Sequence, residues 1–146
     1  MLVSPLGRAR RSAALILDQL DGRIAEVRPD PGVIEISWGR WEGMRRPEIA
    51  ARDPENWAAR QADRWNVPPP GGESHAMLAD RAAGWLERVR RVPRLVVVSH
   101  GAFGSALRGV YLGLDRDAMM SLEKPQDAFF RLEAGGLTRI PADPPA

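Results

Sequence analysis

The sequence has no cysteine and only one lysine, Lys124. The first absence rules out disulfides, thiolate metal sites and a cysteine nucleophile. No stretch comes near the roughly 18 apolar residues that a membrane span needs. The opening Met1-Leu2-Val3-Ser4-Pro5-Leu6 is too short and too soon interrupted for a signal peptide. Neither a P-loop nor a dinucleotide fingerprint occurs. The two histidines, His75 and His100, are 25 positions apart and have no clustered carboxylates, so the sequence offers no metal site and calls for no cofactor. A cytoplasmic protein without a membrane partner is the expectation.

The chain of 146 residues is long enough for one domain with a real core. Apolar residues make up 44% and charged residues 27%, which is ordinary globular usage. The formal charge is +2. Its arginines are interleaved with Asp and Glu, so no nucleic-acid partner is implied. The tightest cluster, Arg88, Arg90, Arg91 and Arg94, falls at the end of an expected helix, where cations suit the helix dipole.

Strands and helices alternate along the chain. Leu2-Val3 reads as the last piece of a strand. Ala9 to Leu20 reads as a helix with Ala13, Ile16, Leu17 and Leu20 on one face, ended by Asp21-Gly22. Pro29-Asp30-Pro31-Gly32 is a turn, and Val33-Ile34-Glu35-Ile36 is expected to be extended. Short helices are expected at Pro47–Ala51 and Pro54–Trp65. The run Val67-Pro68-Pro69-Pro70-Gly71-Gly72 must be an irregular loop. Ser74 is a natural N-cap for a helix to about Arg91. Its apolar stripe is Met77, Leu78, Ala82, Trp85, Leu86 and Val89. Leu95–Val98 has the short apolar character of a buried parallel strand. A helix from Phe103 to Leu112 follows. Asp127–Glu133 and Leu137–Ile140, joined at Gly135-Gly136, read as a hairpin. The domain is expected to span residues 1–140, with a disordered tail over 141–146.

This alternation predicts a three-layer α/β/α fold with a mostly parallel sheet. In such folds ligands sit at the carboxyl ends of the strands. Ser4, Arg8 and His100 all lie just past an expected strand end. His100 precedes a helix N-terminus, a place that favours anions. Its imidazole can donate to a phosphate oxygen or exchange a proton, or it can simply cap the helix. Arg8 can grip phosphate with its guanidinium fork, or be one more exposed arginine. Glu35, between Ile34 and Ile36, is either a desolvated carboxylate suited to acid–base work or the outer face of a strand. Trp38 and Trp41 read as core or pocket wall. His75 reads as a surface residue of its helix.

The motifs gain meaning from their order. Ser-Pro-Leu-Gly-Arg-Ala-Arg, Glu-Ile-Ser-Trp-Gly-Arg-Trp-Glu-Gly, Gly-Gly-Glu-Ser and Val-Val-Val-Ser-His-Gly together resemble the histidine phosphatase, or phosphoglycerate-mutase-like, superfamily. The resemblance runs from Leu2 to Ile140. It implies that Arg8 is a phosphate-binding arginine, Glu35 the acid–base carboxylate and His100 a phosphate-binding histidine. It also implies that Ser99 and the Gly101 backbone line the pocket with Ser4, and that Glu73 and Ser74 belong to a pocket-side motif. The implied reaction is attack of a histidine on a small-molecule phosphate monoester, followed by hydrolysis of the phosphohistidine.

One family motif has no counterpart. The nucleophilic histidine of the family stands in an Arg-His-Gly motif at the end of its first strand, and this sequence contains no Arg-His-Gly. By that comparison the chain reads as truncated at its start, with the first strand missing and the chain inactive alone. The resemblance places that strand between the one ending at His100 and the hairpin. Its absence leaves sheet edges open to self-association. Three functions compete: a phosphatase, a catalytically dead phospho-ligand-binding or interaction module, and a fragment without function. Within the family, phosphoglycerate mutase is the alternative activity. The short segment between Glu35 and Gly72 resembles the phosphatase branches more.

Overall fold

The computed structural model describes residues 1–20 and 22–142. Its centre is a small parallel sheet. Strand β1 (Leu2–Val3) lies between β2 (Arg28–Pro29) and β3 (Val97–Val98). Leu2 stands opposite Val97, and Val3 opposite Val98. Side chains alternate across a sheet, so the two pairs face opposite layers. Leu2 and Val97 pack against helices α4 (His75–Val89) and α5 (Gly101–Tyr111), through a core that includes Leu78, Trp85 and Phe103. Val3 and Val98 meet Ala9 and Ala13 of α1 (Gly7–Gln19) on the other face. The fold is therefore α/β/α with a parallel sheet. Trp85 meets Phe103 edge-on, with centroids 6.1 Å apart. Burying one such aromatic stabilises the fold by about 1.5–3 kcal/mol.

The helices follow local signals. Ser74 Oγ accepts from the Met77 backbone N–H at 3.2 Å and caps α4. Two proline-initiated helices, α2 (Arg46–Arg52) and α3 (Pro54–Ala62), precede it. Helix α3 stops short of the expected Trp65. There the Asp63 carboxylate accepts the Trp65 and Asn66 N–H groups and turns the chain. Helix α6 (Arg116–Ser121) is an addition to the sequence reading. Asp115 caps it, accepting from Ala118 N at 2.9 Å.

Several expectations need correction. Of Val33–Ile36, Val33 closes a 3₁₀ turn, Ile34 is extended, and residues 34–36 pair with no strand among the described residues. Asp30 accepts the Gly32 N–H, and Pro31–Val33 winds into a 3₁₀ turn. Val33 and Ile36 are the buried residues of this run. In the 95–98 run only Val97–Val98 is strand, because its partner β1 is two residues long. Val96 is 44% exposed. Ile16 of α1 and Met77 of α4, both assigned to apolar stripes, are 38% and 48% exposed. The sheet is too narrow for α1 to bury more than Ala9 and Ala13.

The C-terminal hairpin pairs β4 (Ala128–Glu133) with β5 (Gly136–Pro141). Its turn is Ala134-Gly135, both at positive φ, as a tight primed turn requires, rather than Gly135-Gly136. Pro141 belongs to β5, so the expected tail is shorter than 141–146, and residues 143–146 lie outside the described residues. So does Asp21, part of the expected stop of α1. Among the described residues, β4 and β5 pair only with each other, and β3 pairs only with β1. Arg108 of α5 ties the hairpin to the body. It lies 3.9 Å from the Phe130 ring centroid and donates to the Glu123 carbonyl.

Candidate active site

Chain crossings bring two strand ends together. Ser4 follows β1 and His100 follows β3, both on the carboxyl side of parallel strands. The Ser4 backbone N–H donates to the Val98 carbonyl, which fixes the two exits side by side. The first turn of α1 then carries Arg8 back over the sheet end. Its Nε donates to His100 Nδ1 at 3.1 Å. On the other side of the ring, Nε2 lies 2.7 Å from Ser4 Oγ. Because Nδ1 accepts from Arg8, the neutral ring carries its proton on Nε2 and donates to Ser4. Burial, then the Arg8 charge, hold the His100 pKa below the usual imidazole value, against the opposing pull of Glu35. The ring is uncharged at neutral pH.

Glu35 completes the group from a third direction. Its carboxylate accepts from the backbone N–H groups of Phe103 at 3.1 Å and Ala102 at 3.3 Å. The Ile36 N–H adds a third bond at 3.0 Å. Glu35 is half-buried. Ile36 turns into the core and Ile34 stays half-buried, while the carboxylate docks on the N-terminus of α5. Free N–H groups and the helix dipole favour an anion there.

A salt bridge braces the Glu35 loop. Glu73 makes two contacts with Arg81, at 2.8 and 2.9 Å, and accepts from Ser37 N at 3.0 Å. Arg81 also donates to the carbonyls of Gly32 and Ile34. Burial would raise the Glu73 pKa. The Arg81 hydrogen bond and charge, with the Ser37 N–H, outweigh it and hold the carboxyl below its usual range. Gly39, at φ +54°, lets this loop touch the 69–73 loop, where a Cβ would collide with the Pro70 carbonyl.

The structure thus joins Arg8, His100 and Ser4 directly and sets Glu35 on the helix that His100 opens. Gly101 is the first residue of that helix. Ser99 turns elsewhere, its hydroxyl donating to the Val33 carbonyl at 2.6 Å. Glu73 and Ser74 act one step back, one bracing the Glu35 loop and the other capping α4. Arg81 also belongs to this site. Its signal was an arginine three residues after Leu78 and four before Trp85, on the apolar face of α4. His75 needs correction. It is half-buried and lines an internal cleft rather than the surface, because the α3–α4 loop folds over it. Among the described residues no three metal-binding side chains gather, and no helix is long and apolar enough to cross a membrane.

Comparison with known proteins agrees with this geometry. The sequence model of the histidine phosphatase superfamily (branch 1) matches residues 1–136. The chain belongs to that superfamily. It is 34% identical over 129 residues to a 2,3-bisphosphoglycerate-dependent phosphoglycerate mutase of Methylobacterium, covering 82% of this chain and 60% of the mutase. It is 34% identical over 115 residues to phosphoserine phosphatase 1 of Hydrogenobacter thermophilus, covering 77% of this chain and 53% of the phosphatase. The chain therefore spans only part of these relatives. The alpha-ribazole phosphatase of Shigella flexneri shares the fold, with a TM-score of 0.79 at 23% identity over 97% of this chain and 71% of that one.

Proposed function

We propose that this site takes the phosphoryl group of a small phosphate monoester, and that its chemistry is that of a phosphatase acting through a phosphohistidine. The observation that carries the reading is the Glu35 carboxylate on the Ala102 and Phe103 N–H groups, beside Arg8 and His100. A carboxylate oxygen there stands in for a phosphate oxygen. An arriving phosphate would take those N–H groups and the Arg8 fork and release Glu35 toward the leaving oxygen.

In that reaction a histidine nitrogen attacks phosphorus in line while the ester P–O bond breaks. Glu35 gives the leaving alkoxide its proton. Water then attacks phosphorus, giving its proton to Glu35, and the P–N bond electrons return to the histidine. Arg8 and the α5 N–H groups stabilise the charge on the transferring oxygens. His100 is a donor to phosphate rather than the attacking group, since its one lone pair, on Nδ1, is taken by Arg8, while its Nε2–H can turn from Ser4 to a phosphate oxygen. His75 lies in another cleft. With only these two histidines, the chain binds phosphate by itself and turns monoesters over at a negligible rate. In that respect it acts as a phospho-ligand-binding module. The short Glu35–Gly72 segment favours phosphatase over mutase chemistry.

Calorimetric titration with inorganic phosphate, paired with a p-nitrophenyl phosphate assay, tests this reading. Saturable 1:1 binding without turnover is expected. Absence of binding would overturn the reading. Turnover with phosphohistidine on His100 would overturn the assignment of roles.

A further inference from the structure

His100 stands at the N-cap of α5, yet its side chain does not cap the helix. The ring is committed to Arg8 and Ser4. Glu35, 67 positions before Ala102, caps the helix instead. It takes the N–H groups of Ala102 and Phe103, the second and third residues of α5. These are the donors that a Ser, Asp or Asn N-cap usually satisfies from within the same turn. A cap brought from another loop can leave without unwinding the helix.

The contact is built to give way. Its two bonds to α5 are 3.3 and 3.1 Å long, whereas charge-assisted bonds of this kind are usually about 2.7–2.9 Å. Among the described residues no cationic side chain lies within 4 Å of the Glu35 carboxylate. The backbone beneath it is pinned on both sides. Arg81 holds the Gly32 and Ile34 carbonyls, Ser99 the Val33 carbonyl, and Glu73 the Ser37 N–H. Rotation of the Glu35 side chain therefore frees α5 and leaves the loop in place. A phosphate has the better hold. The His100 ring feels both Arg8 and Glu35. The oxygens of one phosphate can meet the Arg8 guanidinium and the α5 N–H groups together, while the carboxylate has the N–H groups alone.

We propose that Glu35 is a tethered inhibitor of its own site: in the empty chain its carboxylate occupies the α5 donors, and phosphate binds only by displacing it. This rests on the reading of Arg8, His100 and the α5 N-terminus as the phosphate site. The tether keeps the carboxylate at high effective concentration. The apparent affinity for phosphate then falls in proportion to the fraction of chains in which α5 is free. The return swing drives phosphate out, so the device speeds release as it weakens binding.

Glu35→Asp separates this device from charge repulsion. It keeps the charge and is one methylene too short to reach α5. Inorganic phosphate, titrated calorimetrically, should bind this variant about tenfold more tightly than the parent, a gain of about 1.4 kcal/mol. Glu35→Gln should bind at least as tightly as the Asp variant. A second measurement needs no variant. By carbon NMR of the parent, the Glu35 side-chain carboxyl should shift saturably with phosphate, at the same concentrations that shift the His100 nitrogens. Equal or weaker binding by Glu35→Asp would overturn the tether alone, even where Glu35→Gln gains. So would a Glu35 carboxyl signal that stays fixed while phosphate saturates His100. No phosphate binding by either the parent or the Asp variant would overturn the phosphate site, and this proposal with it.

Discussion

Arg8 donates to His100 Nδ1 at 3.1 Å, across 92 positions of sequence. This one bond sets the ring's tautomer, its charge and the direction of its other nitrogen toward Ser4. It also spends only the Nε of the guanidinium and leaves the two terminal nitrogens for a ligand. Arg8 is exposed and braces no core element. Arg8→Gln should therefore weaken phosphate binding by about 10- to 100-fold, the worth of a charge-assisted pair of about 1.5–3 kcal/mol. Its thermal midpoint should stay close to that of the parent. Calorimetry and a melting curve on the same sample check both halves.

The Glu73–Arg81 pair should matter for stability instead. Both side chains are largely buried, at 19% and 22% exposure. Arg81→Met strands the Glu73 carboxylate and frees the Gly32 and Ile34 carbonyls, at a cost of about 2–4 kcal/mol. The Glu73 pKa is depressed in the folded chain, so its contribution is present above the unfolded value of about 4.3 and is lost as pH falls through the folded value. Urea unfolding below pH 5 should show that loss in the parent and less of it in Glu73→Gln.

His75 should produce a different pH dependence. Burial, then the charges of Arg60, Lys124 and Arg64, push its pKa down to about 4, against the pull of Glu35. The unfolded residue titrates near 6.5. Between those values the unfolded chain binds the extra proton. Stability is therefore complete above about pH 6.5 and declines as pH falls toward 4, by on the order of 2 kcal/mol once the solvent screening of a half-exposed ring is allowed for. His75→Gln should remove that slope while leaving the steeper loss below pH 4. A series of urea midpoints from pH 7.5 to 4 measures it.

Much of this architecture is legible in local chemistry. Ser74 announces α4 because a cap is a contact within three residues. The Pro47 and Pro54 helices announce themselves in the same way. Asp115 offers the same kind of signal for α6, one contact within three residues. The 3₁₀ turn at Pro31–Val33 is not legible in this way, because an apolar run after Pro-Gly fits an extended start as well as a turn. Only the Asp30–Gly32 bond decides between them. The site divides along the same line. Arg8, Glu35 and His100 sit in ordered motifs. His75 and Lys124 have nothing near them in sequence to mark a cleft, since α4, α5 and α6 create it by packing.

Strand β3 has one neighbour among the described residues, and Val96 and Phe129 are 44% and 58% exposed. We propose that this open edge favours pairing between copies. Light scattering on dilution should then report a mass that rises with concentration. A concentration-independent monomer with one cooperative thermal transition would show that the edge is covered within a single chain.

The central claim is that phosphate binds where Arg8, Ser4 and the α5 N-terminus surround His100. With two histidines in the chain, nitrogen NMR of the imidazoles reads it directly. Without ligand, His100 should display the neutral form protonated on Nε2. Inorganic phosphate should shift the His100 nitrogens saturably at one equivalent and raise the ring's pKa, because an adjacent anion favours the imidazolium. His75 should move little. Saturable phosphate binding that leaves both His100 nitrogens unchanged would contradict the account.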